Sequence, residues 1–386
     1  MSGTKHHSLL IMIIVSYVFI FTFFISRYYD RNSEQKPRRY RPSPSVPIIL
    51  FWSGFYIFKA DDWPVKRGIM DCGRQIRCFL SSDKKLYKRS SALIFHHRNP
   101  NWVTEVSQLR GEDAGIQNQV FVVYNRESSQ WDPKGKDILD RVNGLINWTV
   151  GLRRDDDIFI PTAKVMKGRH EDGFDPTRNY LEGKTGFAAA LLTSNCFTGE
   201  VNRGYFGRAK FIEAIRSAGL KFDTYGNCGK RCGDYKNCAN FLKNYKFVLA
   251  FENTLCDDYL SEKPFANGLS IGTVPIVASL ANITDPYVIP QGSFINALNF
   301  SNPTELVSYV KKVGNDPKLY SKFFEWRANW TYQLMSINEG IVPYTDDYFC
   351  PLCHKLYELE RNPHPKTIRN YTEWYEQEKC HPFPYQ

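Results

Sequence analysis

Phe247–Val277 reads FVLAFENTLCDDYLSEKPFANGLSIGTVPIV. An apolar run, Phe247–Phe251, gives way to a polar loop, then to a helix about Ser261–Ser270, then to a second apolar run, Thr273–Ala278. Short apolar runs separated by a helix read as parallel strands buried on both faces. In open α/β sheets, ligands bind at the carboxyl ends of strands and beside helix N-termini. The loop here offers Glu252, Asn253, Asp258, Tyr259, Ser261, Glu262 and Lys263. Ser261 reads as the helix N-cap. Lys263 falls in the first turn, where the helix dipole opposes a cation unless a phosphate joins it. A capped helix with solvated charges accounts for the same residues equally well.

Working outward, the same alternation recurs. Gly186–Thr193 reads as a strand, Arg208–Gly219 as a helix stopped by Gly219, and Lys221–Asp223 as the start of another strand. Upstream, Pro47–Phe58 opens with a β-like run. Further strands are expected at Ala92–Phe95, Val120–Tyr124 and Asp157–Ile160, with a helix at Ile138–Trp148. Lys318–Ile337 reads as helical and aromatic. Two adjacent Rossmann-like α/β units, divided near 175–187, follow from this pattern.

The chain has 386 residues and 42% hydrophobic content, enough for two domains behind an anchor. Leu9–Ile25 is an uncharged apolar run that just spans a bilayer. No small-residue cleavage site follows it, so it reads as a retained anchor rather than a signal peptide. Ser26–Pro47 is a polar, proline-bearing stem. The formal charge is +10, and half of it sits in residues 1–47. The remaining body is mildly basic, which suits an anionic small substrate better than a nucleic-acid duplex. Basic residues just after the span would put the body in the cytosol by the positive-inside rule. Five sequons (Asn147, Asn282, Asn299, Asn329, Asn370) and ten cysteines after the anchor argue the opposite. The expectation is a single-pass type II protein with a lumenal body.

The central stretch resembles the signature of the α1,3/4-fucosyltransferase family. Its fixed positions include Phe251-Glu252-Asn253, Asp258-Tyr259, Ser261-Glu262-Lys263 and Val274-Pro275. Ala266 and Gly268 depart from it, where the family often has Arg and Ala. Further matches run in the same order. Phe95-His96-His97-Arg98 resembles the family's F-H-H-R, and Asn125-Arg126-Glu127-Ser128 its (N/M)-x-E-S. Asn147–Pro161 resembles N-W-T-x-x-Y-R-R-x-S-D-I-x-x-P. Ser194-Asn195-Cys196 followed by Arg208 resembles S-N-(x)n-R with a longer insert, which leaves Arg203 or Arg208 as the pyrophosphate arginine. Arg208 holds the phase of the following helix and is preferred.

The resemblance implies two Rossmann-like domains facing across a cleft, the GT-B arrangement. It divides the chain into a cytosolic tail (1–8), an anchor (9–25), a stem (26–47), an acceptor-side domain (48–185), a GDP-fucose-binding domain (186–345) and a disulfide-linked tail (346–386). It implies a Golgi membrane enzyme using GDP-fucose and a glycan acceptor, with Arg208, Asn253, Tyr259, Glu262 and Lys263 on the donor. It also implies that Cys350 and Cys353 pair with Cys72 and Cys78.

The chemistry makes its own demands. A β-linked donor and an α-linked product require inversion by one in-line displacement. A base must take the acceptor proton, and the leaving diphosphate must be neutralised. Glu127, after the strand Val120–Tyr124, fits the base because the resemblance maps the family's base there; without it a solvated loop glutamate would be the reading. Arg208 and Lys263 fit the second demand. Asp155-Asp156-Asp157 could hold a divalent cation, but Arg153 and Arg154 beside it make local ion pairs the better reading; no cofactor is required, and a divalent metal is possible but not expected to be essential. His96, Arg153 and Arg154 are acceptor-side or structural candidates. Cys350-Pro351-Leu352-Cys353-His354 formally matches haem attachment, but nothing around it supports that. Two rival readings are a catalytically inactive lumenal glycan-binding or scaffold protein, and a transferase using another nucleotide sugar.

Overall fold

The computed structural model describes residues 46–55, 63–112, 119–130, 134–192, 206–233, 235–335 and 345–384. The expected anchor and residues 26–45 of the expected stem lie outside these residues, as do Ser194, Asn195, Cys196 and Arg203. Among the described residues no helix is long and apolar enough to cross a membrane.

The first half builds seven strands: β1 (Ile48–Phe51), β2 (Gly68–Asp71), β3 (Arg77–Ser81), β4 (Ala92–His96), β5 (Val120–Asn125), β6 (Trp148–Gly151) and β7 (Ile158–Phe159). They lie in the order β2-β3-β1-β4-β5-β6-β7. Only the edge strand β2 is antiparallel. Every side chain of β1, β4 and β6 is buried, as in a sheet covered on both faces.

The second half opens with β8 (Ala163–Lys167), then forms β9 (Gly186–Leu191), β10 (Asp223–Tyr225), β11 (Tyr245–Phe251), β12 (Leu255–Cys256), β13 (Val274–Ala278) and β14 (Ile295–Asn296). Five of these make an all-parallel sheet, β10-β9-β11-β13-β14. Its strand order reverses between β9 and β11. Phe206–Ser217 and Pro303–Asn315 contribute Phe211, Ile215, Leu306 and Val310 to the core beneath it. Gly219 has φ +93°, the left-handed stop expected after the first of these helices.

Several expectations are corrected. Ile138–Trp148 is not one helix: short turns at 136–142 end before Trp148, which starts β6. Lys318–Ile337 is helical only to Ala328. It then becomes β15 (Trp330–Leu334), paired antiparallel with β8. That ribbon packs Ala163 and Val165 against Phe265, Ile289 and Trp326, and Tyr180 joins the core of the second sheet. Ala163, Val165 and Tyr180 thus pack with side chains of the second half. Around Lys263 the helix is a single turn, Lys263–Ala266. Its N-cap is Glu262, and Ser261 is used elsewhere. At Gly268 a Cβ would lie 2.6 Å from the Pro264 carbonyl oxygen and 2.9 Å from Pro275. The glycine that departs from the family pattern is thus the residue that fits.

The C-terminal tail binds both halves. The helix Cys350–Arg361 packs on the first sheet, and Ile368, Tyr371 and Tyr375 fill its other face. Further on, β16 (Cys380–His381) pairs with β12, and Phe383 packs on Phe211 in the second core.

Candidate active site

The carboxyl ends of both sheets meet. β5 ends at Asn125, and its side chain folds the next residues into a tight loop. It accepts from the Glu127 N–H (3.1 Å) and donates to the Glu127 carbonyl (2.8 Å). Arg126 is turned away to the Tyr348 hydroxyl and Thr162 (2.6 Å each). Glu127 is thereby aimed at the second half. Its carboxylate pairs with Arg98 (3.3 Å) and accepts from the Tyr259 hydroxyl (2.6 Å). One residue on, the Ser128 and Thr254 hydroxyls meet at 2.6 Å.

On the facing side, β11 carries Glu252 at its end, wholly buried. The charge is matched by Lys263 (2.9 Å), the Ser261 hydroxyl (2.7 Å) and the Ser261 N–H (2.9 Å). Burial works against the Lys263 ammonium, but Glu252, Glu262 and Glu127 hold its pKa above the ordinary value. Arg208, in the first turn of the helix Phe206–Ser217, is 4% exposed and donates to the Asn253 side chain (2.6 Å). Burial draws its pKa down against Glu252, Tyr259 and Glu127, and a guanidinium stays charged regardless. Burial, then the Glu127 charge, pushes the Tyr259 phenol far up, so Tyr259 is the donor in its bond to Glu127. Two cations, Arg208 and Lys263, thus sit on one wall within the field of a carboxylate carried by the other.

The chain has known relatives. The family model "Glycosyltransferase family 10 (fucosyltransferase) C-term" matches residues 181–374, and "Fucosyltransferase, N-terminal" matches residues 44–163. The chain belongs to the fucosyltransferases of glycosyltransferase family 10. It is a glycosyltransferase. It is 28% identical over 328 residues to the 4-galactosyl-N-acetylglucosaminide 3-alpha-L-fucosyltransferase FUT6 of Pongo pygmaeus, covering 83% of this chain and 81% of that protein. Fucosyltransferase 9 of the same description from Mus musculus is 27% identical over 353 residues, covering 87% and 89%. A crystal structure of an alpha1,3-fucosyltransferase has the same fold, with TM-score 0.50 at 14% identity, covering 83% and 91%. The GT-B-like α/β arrangement expected from sequence is therefore the fold of this fucosyltransferase.

Beside Glu127 a pocket of about 350 Å³ is lined by Arg153, Asp156, Asp258, Tyr259, Trp374 and Glu378, among others. Arg153 holds Asp155 through two nitrogens, lies 4.3 Å over the Trp374 ring and donates to the Trp374 carbonyl. The three consecutive aspartates turn to different partners. Asp155 takes Arg153, Asp156 accepts from the Arg153 N–H, and Asp157 pairs with Lys366. Burial lifts the Asp156 pKa to about 7. Among the described residues one trio, Cys256, Glu378 and Cys380, is close enough to hold a metal, and its two sulfurs are joined in a disulfide.

The remaining candidates separate into use and support. His96 is buried among Phe55, Trp63 and Tyr124, and its Nδ1 accepts from the Arg98 N–H. It positions Arg98 and does not reach the pocket wall. Arg154 lies over Phe159 (4.1 Å), outside this pocket, while its N–H bonds Asp258. Glu262 flanks Lys263 at the start of the helical turn. Cys72 bonds Cys350, and Cys78 bonds Cys353, fixing the tail helix to β2 and β3 and leaving no thiol for haem. Cys232–Cys238 and Cys256–Cys380 are further disulfides.

Asn282, Asn299, Asn329 and Asn370 are exposed. Asn147 is not. It is 5% exposed; its carbonyl accepts from the Phe121 N–H and Arg110, and its amide donates to the Lys366 carbonyl. A glycan on that amide would displace the Lys366 contact and has no room in the fold. The Asn147 sequon is corrected from a glycosylation site to a strand clasp.

Sequence reasoning assigned no role in the site to Glu252, Arg98, Trp374 or Glu378. A lone acid closing the apolar run FVLAF was the available signal for Glu252. The tail residues carried none, since their relevance comes from a chain that returns to the cleft.

Proposed function

We propose that this enzyme transfers L-fucose from GDP-β-L-fucose to O3 of an N-acetylglucosamine in a glycan, inverting the anomeric centre, with Glu127 as general base. The observation that carries the reading is the Glu127 carboxylate, borne by the first half and hydrogen-bonded to Tyr259 beside Lys263 and Arg208. The relatives' names support the transfer of L-fucose and the α1,3 linkage. The acceptor hydroxyl replaces Tyr259 on Glu127 and attacks the fucose anomeric carbon while its proton passes to the carboxylate. The bond to the β-phosphate oxygen breaks, and GDP leaves with the added charge. Arg208 and Lys263 face that charge in a water-poor cleft, where fixed cations act most strongly. Glu252 holds Lys263 until the diphosphate arrives.

The leaving group needs no divalent cation on this reading, because Asp155, Asp156 and Asp157 are each committed within the fold. EDTA should change the rate by less than about twofold. We further propose a Golgi membrane enzyme anchored by Leu9–Ile25 with its body in the lumen; four exposed sequons and the disulfides support this orientation. Protection of the body from added protease in sealed vesicles checks it.

The decisive experiment incubates the full chain in detergent with labelled GDP-fucose and a panel of glycans, and maps the product linkage. An α1,3 product on N-acetylglucosamine is expected. Binding of GDP without transfer to any acceptor would give the protein to the inactive, glycan-binding class. Transfer from a different nucleotide sugar would overturn the donor.

A further inference from the structure

The pocket beside Glu127 does not end at Asp258. Leu152 and Asp258 line it and also line a second, larger groove of about 680 Å³. The two hollows share that wall and lie side by side. Asp258 stands there at φ +62°, a left-handed conformation unfavourable for a residue with a side chain. The strained backbone turns its carboxylate onto the Arg154 N–H (3.0 Å), which binds the rim of the first half to the motif loop.

The groove has the make-up of a carbohydrate site. Tyr287 is 55% exposed, yet its ring is steadied edge-on by Trp330 at 5.3 Å, and its N–H is tied to Asp285 (2.9 Å). A large aromatic face held rigid in solvent is a platform for the apolar face of a pyranose. Phe159 gives a second ring, covered by the Arg154 guanidinium. Asp258 and Asp285 each spend one oxygen on a backbone N–H and present a second that can accept from hydroxyls. Two carboxylates against one guanidinium disfavour a phosphate or nucleotide and suit a neutral polyhydroxyl ligand.

We infer that this groove is an extension subsite for the acceptor glycan, taking sugars beyond the one that receives fucose. A saccharide whose reacting hydroxyl meets Glu127 would run past Asp258, with its next residues stacked on Tyr287. The inference rests on the fucosyl-transfer reading and makes acceptor length a determinant of specificity. The groove has a second source of sugar close by, because the exposed Asn282 of an Asn-Ile-Thr sequon lies on its lining. The test separates the two.

The test uses the full chain in detergent with saturating GDP-fucose. Acceptors are a disaccharide and a hexasaccharide of galactose–N-acetylglucosamine repeats with the same non-reducing end. The intact enzyme should show kcat/KM about tenfold higher for the hexasaccharide, expressed in KM. Tyr287→Ala should bring that ratio close to one, while Tyr287→Phe, which keeps the platform, should restore it. No length preference in the intact enzyme, or an equal loss for both lengths in Tyr287→Ala, overturns the subsite. Asn282→Gln should leave the ratio unchanged. A length preference that emerges only in Asn282→Gln would assign the groove to the chain's own glycan and overturn the inference. Should no acceptor be fucosylated, the parent reading fails while the groove is still read by saturation-transfer NMR with the hexasaccharide. A saturation-transfer signal that vanishes in Tyr287→Ala supports the subsite, and no signal from the intact protein overturns it.

Discussion

The two walls of the cleft are built by opposite means. The wall bearing the cations is nearly continuous in sequence: Glu252, Asn253, Tyr259, Ser261 and Lys263 fall within one strand-loop-turn, and Arg208 alone comes from elsewhere. The wall bearing Glu127 draws on Arg98, Glu127, Arg153 and Asp156 from three strand ends, and on Trp374 and Glu378 from the tail. The first wall is pre-set by its own buried ion pair. The second depends on the fold closing around it. Damage to either should therefore differ in kind as well as in size.

The largest effect is expected at Glu127. Glu127→Gln keeps the size and the Tyr259 contact but cannot take a proton, so kcat should fall about 10³-fold. GDP affinity should stay within about threefold, measured by calorimetry. A comparable loss of GDP binding would erase the distinction between the walls. Lys263→Ala should act on both binding and stability. GDP affinity should fall about 100-fold, with turnover falling alongside it. The unliganded protein should lose about 3 kcal/mol in urea unfolding, because Glu252 is left charged and buried with one partner fewer. Adding Glu252→Gln to Lys263→Ala should return much of that stability and none of the GDP affinity.

The smallest effect on turnover is expected at Asp156, which takes no step in the reaction and whose burial raises its pKa to about 7. Its folded form retains a proton that the unfolded chain gives up at lower pH. Its favourable share of stability is complete below the ordinary aspartate value of 3.8 and disappears as pH climbs through about 7. Asp156→Asn should therefore leave stability near pH 4 unchanged and raise it by up to about 4 kcal/mol at pH 8. A gain that is flat across that range would mean the side chain acts by packing alone.

The same contrast explains what could be read from the residues. The residues of the cationic wall lie together, and two break a local rule: an acid ends an apolar strand, and a lysine opens a helical turn; the donor-binding roles came from the resemblance. Even there, the length of the helix and the role of Ser261 were misjudged, since the Ser261 hydroxyl answers Glu252, a tertiary demand. The other wall was legible at Glu127 and Arg153, and the role of Glu127 only through resemblance. Trp330–Leu334 looked helical because aromatic residues fit either period, and its partner β8 lies far back in the chain. At Asn147 the sequon is a local triplet. The Phe121 N–H and the Lys366 carbonyl that claim its amide are set by the assembled sheet.

The path of the tail has a consequence for biosynthesis. Ile368, Tyr371 and Tyr375 complete the core of the first half, while Phe383 and the Cys256–Cys380 bond complete the second. Neither half can reach its final packing while residues 350–383 are still inside the ribosome or the translocation channel. During synthesis both sheets must wait with an apolar face uncovered, exposed to premature association. A nascent chain stalled before residue 350 should hold chaperones, and release them only once the tail has crossed both halves and its cysteines have found their partners.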